Sequence, residues 1–379
     1  MQITKIVITG GPCGGKSTAL SKIHDELEQM GYTVLFVPET ATELITGGVA
    51  PWTCGTNLDY QKCHLKLQLE KEIAFEKAAS TMNKEKILIV CDRGALDSKA
   101  YMSESEFNET LKSLNTNEVD LRDNYGAIFH LVSAAKGAEY AYTLSNNCAR
   151  TETIEQAREL DDKIISAWAG HPHLRVIDNE TDFNEKLSRL IAEIASFLGE
   201  PEPFEIERKF LIEYPDITYL DSLPNCKKVE IIQTYLKAPN GDETRIRQRG
   251  ADGNFIYFQT TKRKISDTKR IEIERRLTKD EYLKLLLDVD TTKHQIRKTR
   301  YCLVYASQYF EIDVYPFWND KAIMEIELRS EDQEFTIPTF INVIKDVTDD
   351  DEYKNSSLAR KYNTSLQKSY TFCLHTLNK

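Results

Sequence analysis

The sequence predicts two units in series: a doubly wound, parallel α/β unit, then an antiparallel β unit closed, or nearly closed, into a barrel with a charged bore. Three observations carry this. A short apolar run, Ile3 to Thr9, leads straight into Gly10-Gly11-Pro12-Cys13-Gly14-Gly15-Lys16-Ser17-Thr18, and a helical pattern follows at once. From Glu205 onward, seven strand-like runs place charged side chains at alternate positions. Between the two lies Gly199-Glu200-Pro201-Glu202-Pro203, a glycine that ends a helix and two prolines that stiffen the crossing. The predicted boundaries are residues 1–198, a linker at 199–203, and residues 204–379. So short a linker predicts that the halves touch.

The first run is GxxxxGK[ST] in its proper setting, strand before and helix after. The glycines let backbone N–H groups wrap a phosphate chain at a helix N-terminus. Residues 10–18 are therefore nucleotide-binding candidates; Lys16 reaches the β- and γ-phosphates, and Ser17 ligates Mg²⁺. The helix, Ala19 to Met30, carries Leu20, Ile23, Leu27 and Met30 on one face. A second strand, Thr33 to Val37, delivers Glu39 to the sheet edge where such folds keep their ligands. Glu39 reads either as a first-turn carboxylate favoured by the helix dipole or as a substrate or water contact; both stay open. Asp59 to Ser80 reads as a long helix with Leu65, Leu69 and Ile73 inward. Lys86 to Cys91 is a buried strand closed by Asp92-Arg93-Gly94. An Asp in that place opposite a phosphate loop polarises Mg²⁺ through water, and Arg93 is a phosphate contact. Ala127 to Val132 and Leu174 to Ile177 are further strands. Helices span Glu152 to Ala169 and Phe183 to Leu198. Arg150 reads as a lid arginine for transition-state charge or as a solvated loop residue.

In the second half, Glu205, Glu207 and Lys209 share one strand face, because side chains alternate across the pleat. The same holds for Arg245, Arg247 and Arg249; Lys262 and Lys264; Arg270, Glu272 and Glu274; Lys298 and Arg300; Glu311 and Asp313; and Glu325 and Glu327. One such strand is an ordinary wet face. Seven gathered inside a barrel need a tenant, since unpaired buried charge is too costly. A polyanion with a divalent metal suits them: Arg and Lys on phosphate oxygens, carboxylates on the cation. One helix, Thr278 to Leu287, interrupts the strands. Helical segments are expected at Pro338 to Lys345 and near Ser357, around an acidic, solvated loop, Asp349 to Glu352.

Composition bounds the rest. The 379 residues are 41% hydrophobic and 29% charged, a globular rather than disordered balance. The net charge of −11 repels nucleic acid and anionic membrane, so phosphate must be drawn by a local positive cluster. No apolar run approaches a membrane span; Ile87 to Cys91 is about the most apolar. Eight scattered cysteines without a CxxC pair read as reduced thiols. The opening MQITKIVITG enters a strand directly, and no lipidation box stands at either end. The expectation is a cytoplasmic chain with no leader and at most peripheral membrane contact.

The run EIERK, Glu205 to Lys209, resembles the ExExK signature of the CYTH, or triphosphate tunnel metalloenzyme, superfamily, and the later charged strands follow in that family's order over roughly residues 203–370. The resemblance implies an eight-stranded antiparallel tunnel, Mg²⁺ or Mn²⁺, and phosphorylated or triphosphate ligands. In an active triphosphatase of that kind Glu205, Glu207, Glu325 and Glu327 would hold the metal, with Asp313 near the attacking water; Lys209 is a further candidate there. The first half resembles the P-loop family of NadR-like nucleoside kinases and their AAA-type relatives. It lacks the Asn-Lys-x-Asp box of Ras-like GTPases. In a kinase reading Glu39 or Asp92 would be the base and Arg150 the lid. The full order resembles the insect family of TRPL translocation defect proteins and their relatives. That resemblance implies nucleotide, GTP before ATP, on the first half, a phosphoinositide headgroup or other phosphorylated ligand on the second, and a part in membrane trafficking.

Overall fold

The computed structural model describes residues 1–142, 152–200, 206–238, 242–264, 270–328 and 332–362, side chains at 263–264 and 270–272 excepted. The chain divides into two compact units, one formed mainly by residues 1–203 and the other mainly by 204–379, with 223–227 and 302–309 grouped with the first.

The first unit runs β1 (Gln2–Thr9), α1 (Lys16–Gln29), β2 (Thr33–Val37), α2 (Thr40–Thr46), α3 (Asn57–Ser80), β3 (Lys86–Asp92), α4 (Glu104–Ser113), α5 (Glu118–Arg122), β4 (Ala127–Leu131), α6 (Ile154–Trp168), β5 (Leu174–Ile177) and α7 (Phe183–Phe197). Its five strands pair in the order β2-β3-β1-β4-β5, all parallel. Successive residues of each strand serve opposite cores. Val7, Ile87, Ile89 and Ile128 pack with Leu65 of α3, Phe107 of α4 and Trp168 of α6. Ile6, Ile8, Leu88, Val90 and Phe129 pack with Ile23 and Leu27 of α1 and Leu190 and Ile194 of α7. Burial on both faces explains why these strands read as continuous apolar runs. Capping boxes at Ser103/Glu106 and Thr153/Gln156 start α4 and α6. One inward residue is corrected. Ile73 is 49% exposed, because the buried face of α3 is instead the polar row Gln61, His64, Gln68 and Glu72 together with Tyr60 and Leu65.

The second unit runs β6 (Ile206–Glu213), α8 (Ile217–Ser222), β7 (Cys226–Leu236), β8 (Glu243–Ala251), β9 (Asn254–Lys264), β10 (Arg270–Leu277), α9 (Lys279–Leu285), β11 (Ile296–Tyr305), β12 (Gln308–Val314), β13 (Lys321–Leu328), β14 (Val343–Asp346) and α10 (Asn355–Lys361). These strands form one sheet in the order β10-β9-β8-β7-β11-β12-β13-β6-β14. Asp252 and Gly253 turn between β8 and β9 with φ of 52° and 82°, the left-handed pair that a two-residue hairpin requires. Ala306 and Ser307 make the next such turn with φ of 47° and 58° and no glycine, a strained choice.

The predicted fold class holds for both units. The strand count does not: among the described residues the sheet has nine strands, against eight expected. The ninth is β14, which occupies the place of the helix expected over Pro338 to Lys345 and pairs antiparallel with β6. β-Branched Ile341, Val343 and Ile344 favour extended chain there, and β6 would otherwise expose an unpaired edge. β7 escaped the charge pattern because the residues it sets opposite Arg247 and Arg245 are Gln233 and Tyr235, which carry no charge.

Trp168 is fully buried, meets Tyr125 edge-on at 5.5 Å and donates its Nε1–H to Asp97 at 2.6 Å. Trp168→Ala should lower the stability of the first unit by about 3–5 kcal/mol, read from urea denaturation. A loss under about 1 kcal/mol would contradict this packing.

Candidate functional site

Between β1 and α1 the chain wraps tightly against β4 and α7. A Cβ on Gly10 would lie 2.1 Å from the Leu131 carbonyl oxygen, and one on Gly15 2.4 Å from the Phe183 ring. Both glycines have positive φ, as does Cys13 at 56°. Asp161 of α6 holds the start of this loop. Its Oδ1 accepts from the Gly11 N–H at 2.9 Å and the Ser133 N–H at 3.1 Å, and meets His130 Nε2 at 2.9 Å, while Lys136 Nζ pairs with Oδ2 at 3.0 Å. Burial opposes that charge, but His130 and Lys136 hold the carboxyl well below its usual range. Ser133 Oγ donates to the Pro12 carbonyl at 2.5 Å. Lys16 is buried and donates to the Gly10 carbonyl at 3.3 Å. Ser17 and Thr18 open α1 and are exposed.

Beside the loop, β3 ends in Asp92 and Arg93. Arg93 has φ 74°, and its carbonyl accepts from Gln68 Nε2 at 3.1 Å. Its guanidinium donates to Glu39 at 2.5 Å, to Asp97 at 3.2 Å and to the Gly10 carbonyl at 3.3 Å. A buried chain of contacts stands behind it. Lys5 Nζ reaches Glu72 at 3.0 Å, and Glu72 accepts from Tyr125 Oη at 2.8 Å and Gln68 Nε2 at 3.3 Å. Burial works against the Glu39 carboxylate, but Arg93 and Lys16 pull it down to about 2. Burial, then Arg93, brings the Lys16 ammonium down to about 8. Asp92 is pushed up by burial, and its Oδ1 is buried with no hydrogen-bond partner. That orphan oxygen, the nearby loop and exposed Ser17 fit a Mg²⁺ ion. All of them line a cavity of about 760 Å³, with Asn179, Phe183 and Lys186 among its other walls. Lys186 donates to the Val132 carbonyl and to Asn179 Oδ1, both at 2.7 Å, and burial brings it down to about 8.

In the second unit the register brings the predicted charges together. Lys209 lies opposite Glu325, and Glu207 opposite Glu327; Glu311 faces Glu325 on the other side. Arg300 is the hub. Its guanidinium bonds Asp313 at 2.6 and 2.7 Å, Glu325 at 3.1 Å, and Glu311. Lys298 also bonds Asp313, which is fully buried. Lys209 bridges Glu325 at 2.9 Å and Glu207 at 3.1 Å. Burial opposes its charge, yet those carboxylates raise it. Glu325 is likewise drawn far down, against burial, by Lys209, Arg300 and Lys298. Lys298 itself is lowered by burial and by Arg300. On β8, Arg247 bonds Glu274 and Thr260 and keeps a buried Nε without a partner. Arg245 and Arg249 share that strand, with Lys262 on its neighbour β9. Glu327 is exposed.

Arg150 and Glu205 lie outside the described residues, as do the side chains of Lys264, Arg270 and Glu272. Among the described residues no group of three or more His, Cys, Asp or Glu side chains stands ready to hold a metal ion. In the second unit Glu207 and Glu325, two of the four glutamates expected to hold a metal, are paired with Lys209, and Glu325 also with Arg300.

Family models now decide the kinship. One for an AAA domain matches residues 5–186, and one for a CYTH domain matches residues 203–337. The chain joins an AAA domain to a CYTH domain. No curated protein matches it. Among solved structures, the inorganic triphosphatase NE1496 is 30% identical, with 42% of this chain and 97% of that one covered at a TM-score of 0.29. PH1012 protein from Pyrococcus horikoshii OT3 is 21% identical, covering 32% and 78% at 0.25.

In the AAA domain sequence reasoning missed Asp161, Asp97, Gln68 and Glu72, which hold the loop and Arg93 in place from distant elements. No local motif marks them. Lys186 did leave a signal: a lysine on the helix face that carries Phe183 and Leu190.

The depressed Lys16 gives a pH test. Phosphate favours the ammonium, so above pH about 8 binding must take up a proton. Nucleotide affinity should be level below that pH and fall by up to about tenfold per unit above it, with proton uptake in calorimetry. The fold responds oppositely. Lys16 holds its proton more weakly folded than unfolded, so its contribution to stability rises from pH 8 to 10.5. An affinity flat from pH 7 to 9.5 would refute the assignment.

Proposed function

We propose that this chain is a Mg²⁺-dependent, nucleotide-binding regulatory protein. Its AAA domain takes GTP or ATP, and its CYTH domain binds a phosphorylated ligand, either a triphosphate or a phosphoinositide headgroup. The observation that supports the first part is the closely wrapped loop with buried Lys16, set beside the unpartnered Asp92 oxygen. Lys16 would neutralise phosphate charge, the loop amides would cradle it, and Ser17 and Asp92 would hold the cation that shields the terminal phosphates. No described helix is long and apolar enough to cross a membrane, so a trafficking role would act through headgroup contact at a membrane surface.

For the CYTH domain, binding is favoured over hydrolysis by one feature. Asp313, the residue placed near an attacking water, is buried and bonded by both Lys298 and Arg300. A carboxylate held this way fixes cations in place and is poorly disposed to activate water. Against burial, Arg93 and Lys16 hold the Glu39 carboxylate low, and its bond to the Arg93 guanidinium suits it to orient that side chain. Glu207, Glu311, Asp313 and Glu325 are each engaged by Lys209, Lys298 or Arg300. Phosphate oxygens that take over Lys209, Arg300 and Arg247 would free carboxylates, so metal and polyanion should bind together.

Two measurements test this. Lys16→Ala should weaken ATP and GTP by a hundredfold or more in calorimetry without unfolding the chain; unchanged affinity for both would sink the AAA reading. For the CYTH domain, a charge-assisted contact is worth about 1.5–3 kcal/mol. Arg247→Ala should therefore weaken tripolyphosphate by roughly ten- to a hundredfold, with or without Mg²⁺. Glu207→Ala should weaken tripolyphosphate when Mg²⁺ is present and, because it releases Lys209, should not weaken it when Mg²⁺ is absent. A wet surface face would instead give about 0–1 kcal/mol for either. Vesicles with and without phosphoinositide distinguish a headgroup from a free triphosphate.

A further inference from the structure

The segment 38–59 walls part of the AAA cavity, yet little apolar packing holds it there. Glu39, Ala41, Thr42, Ile45, Pro51 and Trp52 all line the cavity. Neither the core around Trp168 nor the core around Phe129 includes a residue from this segment. Thr40 and Ala50 are its only buried positions, and Trp52 is 70% exposed. The seven residues of α2 are too few to make a stable helix by themselves. A segment with so little apolar burial belongs to the low-stability end of a structure, where local opening takes little free energy. Polar bonds hold it instead.

Those bonds fall in three places. At the far end, Asn57 Nδ2 donates to the Tyr101 carbonyl at 3.0 Å. Lys71 of α3, which does not line the cavity, donates to the Pro38 carbonyl at 2.7 Å, to Thr40 Oγ1 at 3.3 Å and to Glu43 at 2.6 Å. On the cavity side Glu39 accepts from Arg93 at 2.5 Å and from Thr42 Oγ1 at 2.6 Å. This last attachment is the one a ligand can reach. The same guanidinium donates to the Gly10 carbonyl of the phosphate loop at 3.3 Å. A terminal phosphate seated against Lys16 and Arg93 competes for that guanidinium and sets negative charge beside the Glu39 carboxylate. Like charges at such range repel, the more so where water is scarce. A diphosphate lacks the group that does this.

We infer that the Glu39–Arg93 pair is a latch that senses the terminal phosphate. It holds the segment 38–59 in place while the phosphate loop is empty or carries a diphosphate, and a bound nucleoside triphosphate releases it. Lys71 keeps the released segment tethered, so it loosens without leaving. The third phosphate thereby sets the state of an outer stretch that carries the exposed Val49 and Trp52. The inference rests on the reading that the loop holds Mg²⁺ and a nucleoside triphosphate, and the experiment separates the two.

The full chain is followed by hydrogen exchange in three states: free, with Mg²⁺ and ADP or GDP, and with Mg²⁺ and a non-hydrolysable ATP or GTP analogue. Calorimetry first establishes that each nucleotide is bound. The informative amides are those of Glu43, Gly47 and Val49, which donate to the carbonyls of Glu39, Glu43 and Leu44. With the triphosphate analogue they should exchange about tenfold faster or more, as expected for the loss of one charge-assisted contact. With the diphosphate they should exchange as in the free protein. Glu39→Gln keeps the shape and removes the charge. Its segment should exchange fast without nucleotide and change little when the analogue is added. If the analogue binds and these amides exchange at the free rate or slower, the latch is wrong while the loop reading survives. A wild-type response in Glu39→Gln overturns it equally. If no nucleotide binds, both fall.

Discussion

Charge cannot be buried in this chain without a partner, and that requirement shapes both domains before any ligand arrives. Taking an ionised group out of water costs several kcal/mol even after the protein relaxes. Lys16, with one bond to the Gly10 carbonyl, and the Asp92 oxygen are left open toward the cavity; the buried charges that hold the sites in place are met by an opposite one or by several hydrogen bonds. Asp161 has His130, Lys136 and two amides; Lys5 has Glu72 and Glu76; Arg300 has three carboxylates. These contacts stabilise little in net terms, because desolvation offsets most of the Coulomb gain. What they supply is position. Deleting one partner strands the other, so the loop and the CYTH face are held in one arrangement.

The two domains use the constraint differently. In the AAA domain the pairing stands behind the site: Asp161 grips Gly11 from below, and the chain from Lys5 through Glu72 and Gln68 holds the carbonyl of Arg93. The ligand-facing groups are backbone amides and a lysine pushed toward neutrality, so a phosphate meets a site with little to displace. In the CYTH domain the pairing lies among the candidate contacts themselves. On the proposed reading Lys209 and Arg300 would exchange carboxylates for phosphate, and the gain from a ligand would be the difference between two sets of strong contacts. Such a face should discriminate by the number and spacing of phosphate oxygens more than by raw affinity.

This contrast explains what could be read from the residues alone. The phosphate loop is contiguous and its glycines are demanded by contacts under 3 Å, so its signature is local. The CYTH charges are spread over more than a hundred residues, but strand alternation is a period of two, and the register Lys209–Glu325–Glu311 follows from it. Asp161 and Gly11 are 150 positions apart with nothing in either neighbourhood to announce the bond. The polar inner face of α3 defeated hydrophobic periodicity because Gln68 and Glu72 are buried for the sake of Lys5 and Arg93, and Ile73 is left outside. β14 was hidden for another reason: its four residues are all exposed, and what makes them a strand is the edge of β6, over a hundred residues earlier.

The overall charge of −11 places a last demand on both sites. A polyanion approaching this protein is repelled at long range, and screening in salt confines any attraction to about one Debye length, roughly 8 Å. The AAA loop meets the demand with dipoles: amides at the start of α1 act at hydrogen-bond distance and are insensitive to net charge. The CYTH face has no such resource. Among its described cations Lys209, Arg247, Lys298 and Arg300 are balanced by carboxylates and project little field into solvent. On the proposed reading its affinity would come from contacts made after encounter, when a phosphate oxygen releases a guanidinium or ammonium from its internal partner. Association there should be slow for a site so rich in arginine, and the released carboxylates are then left needing a cation. An acidic protein with a neutralised anion site thus has a physical reason to demand metal and polyanion together.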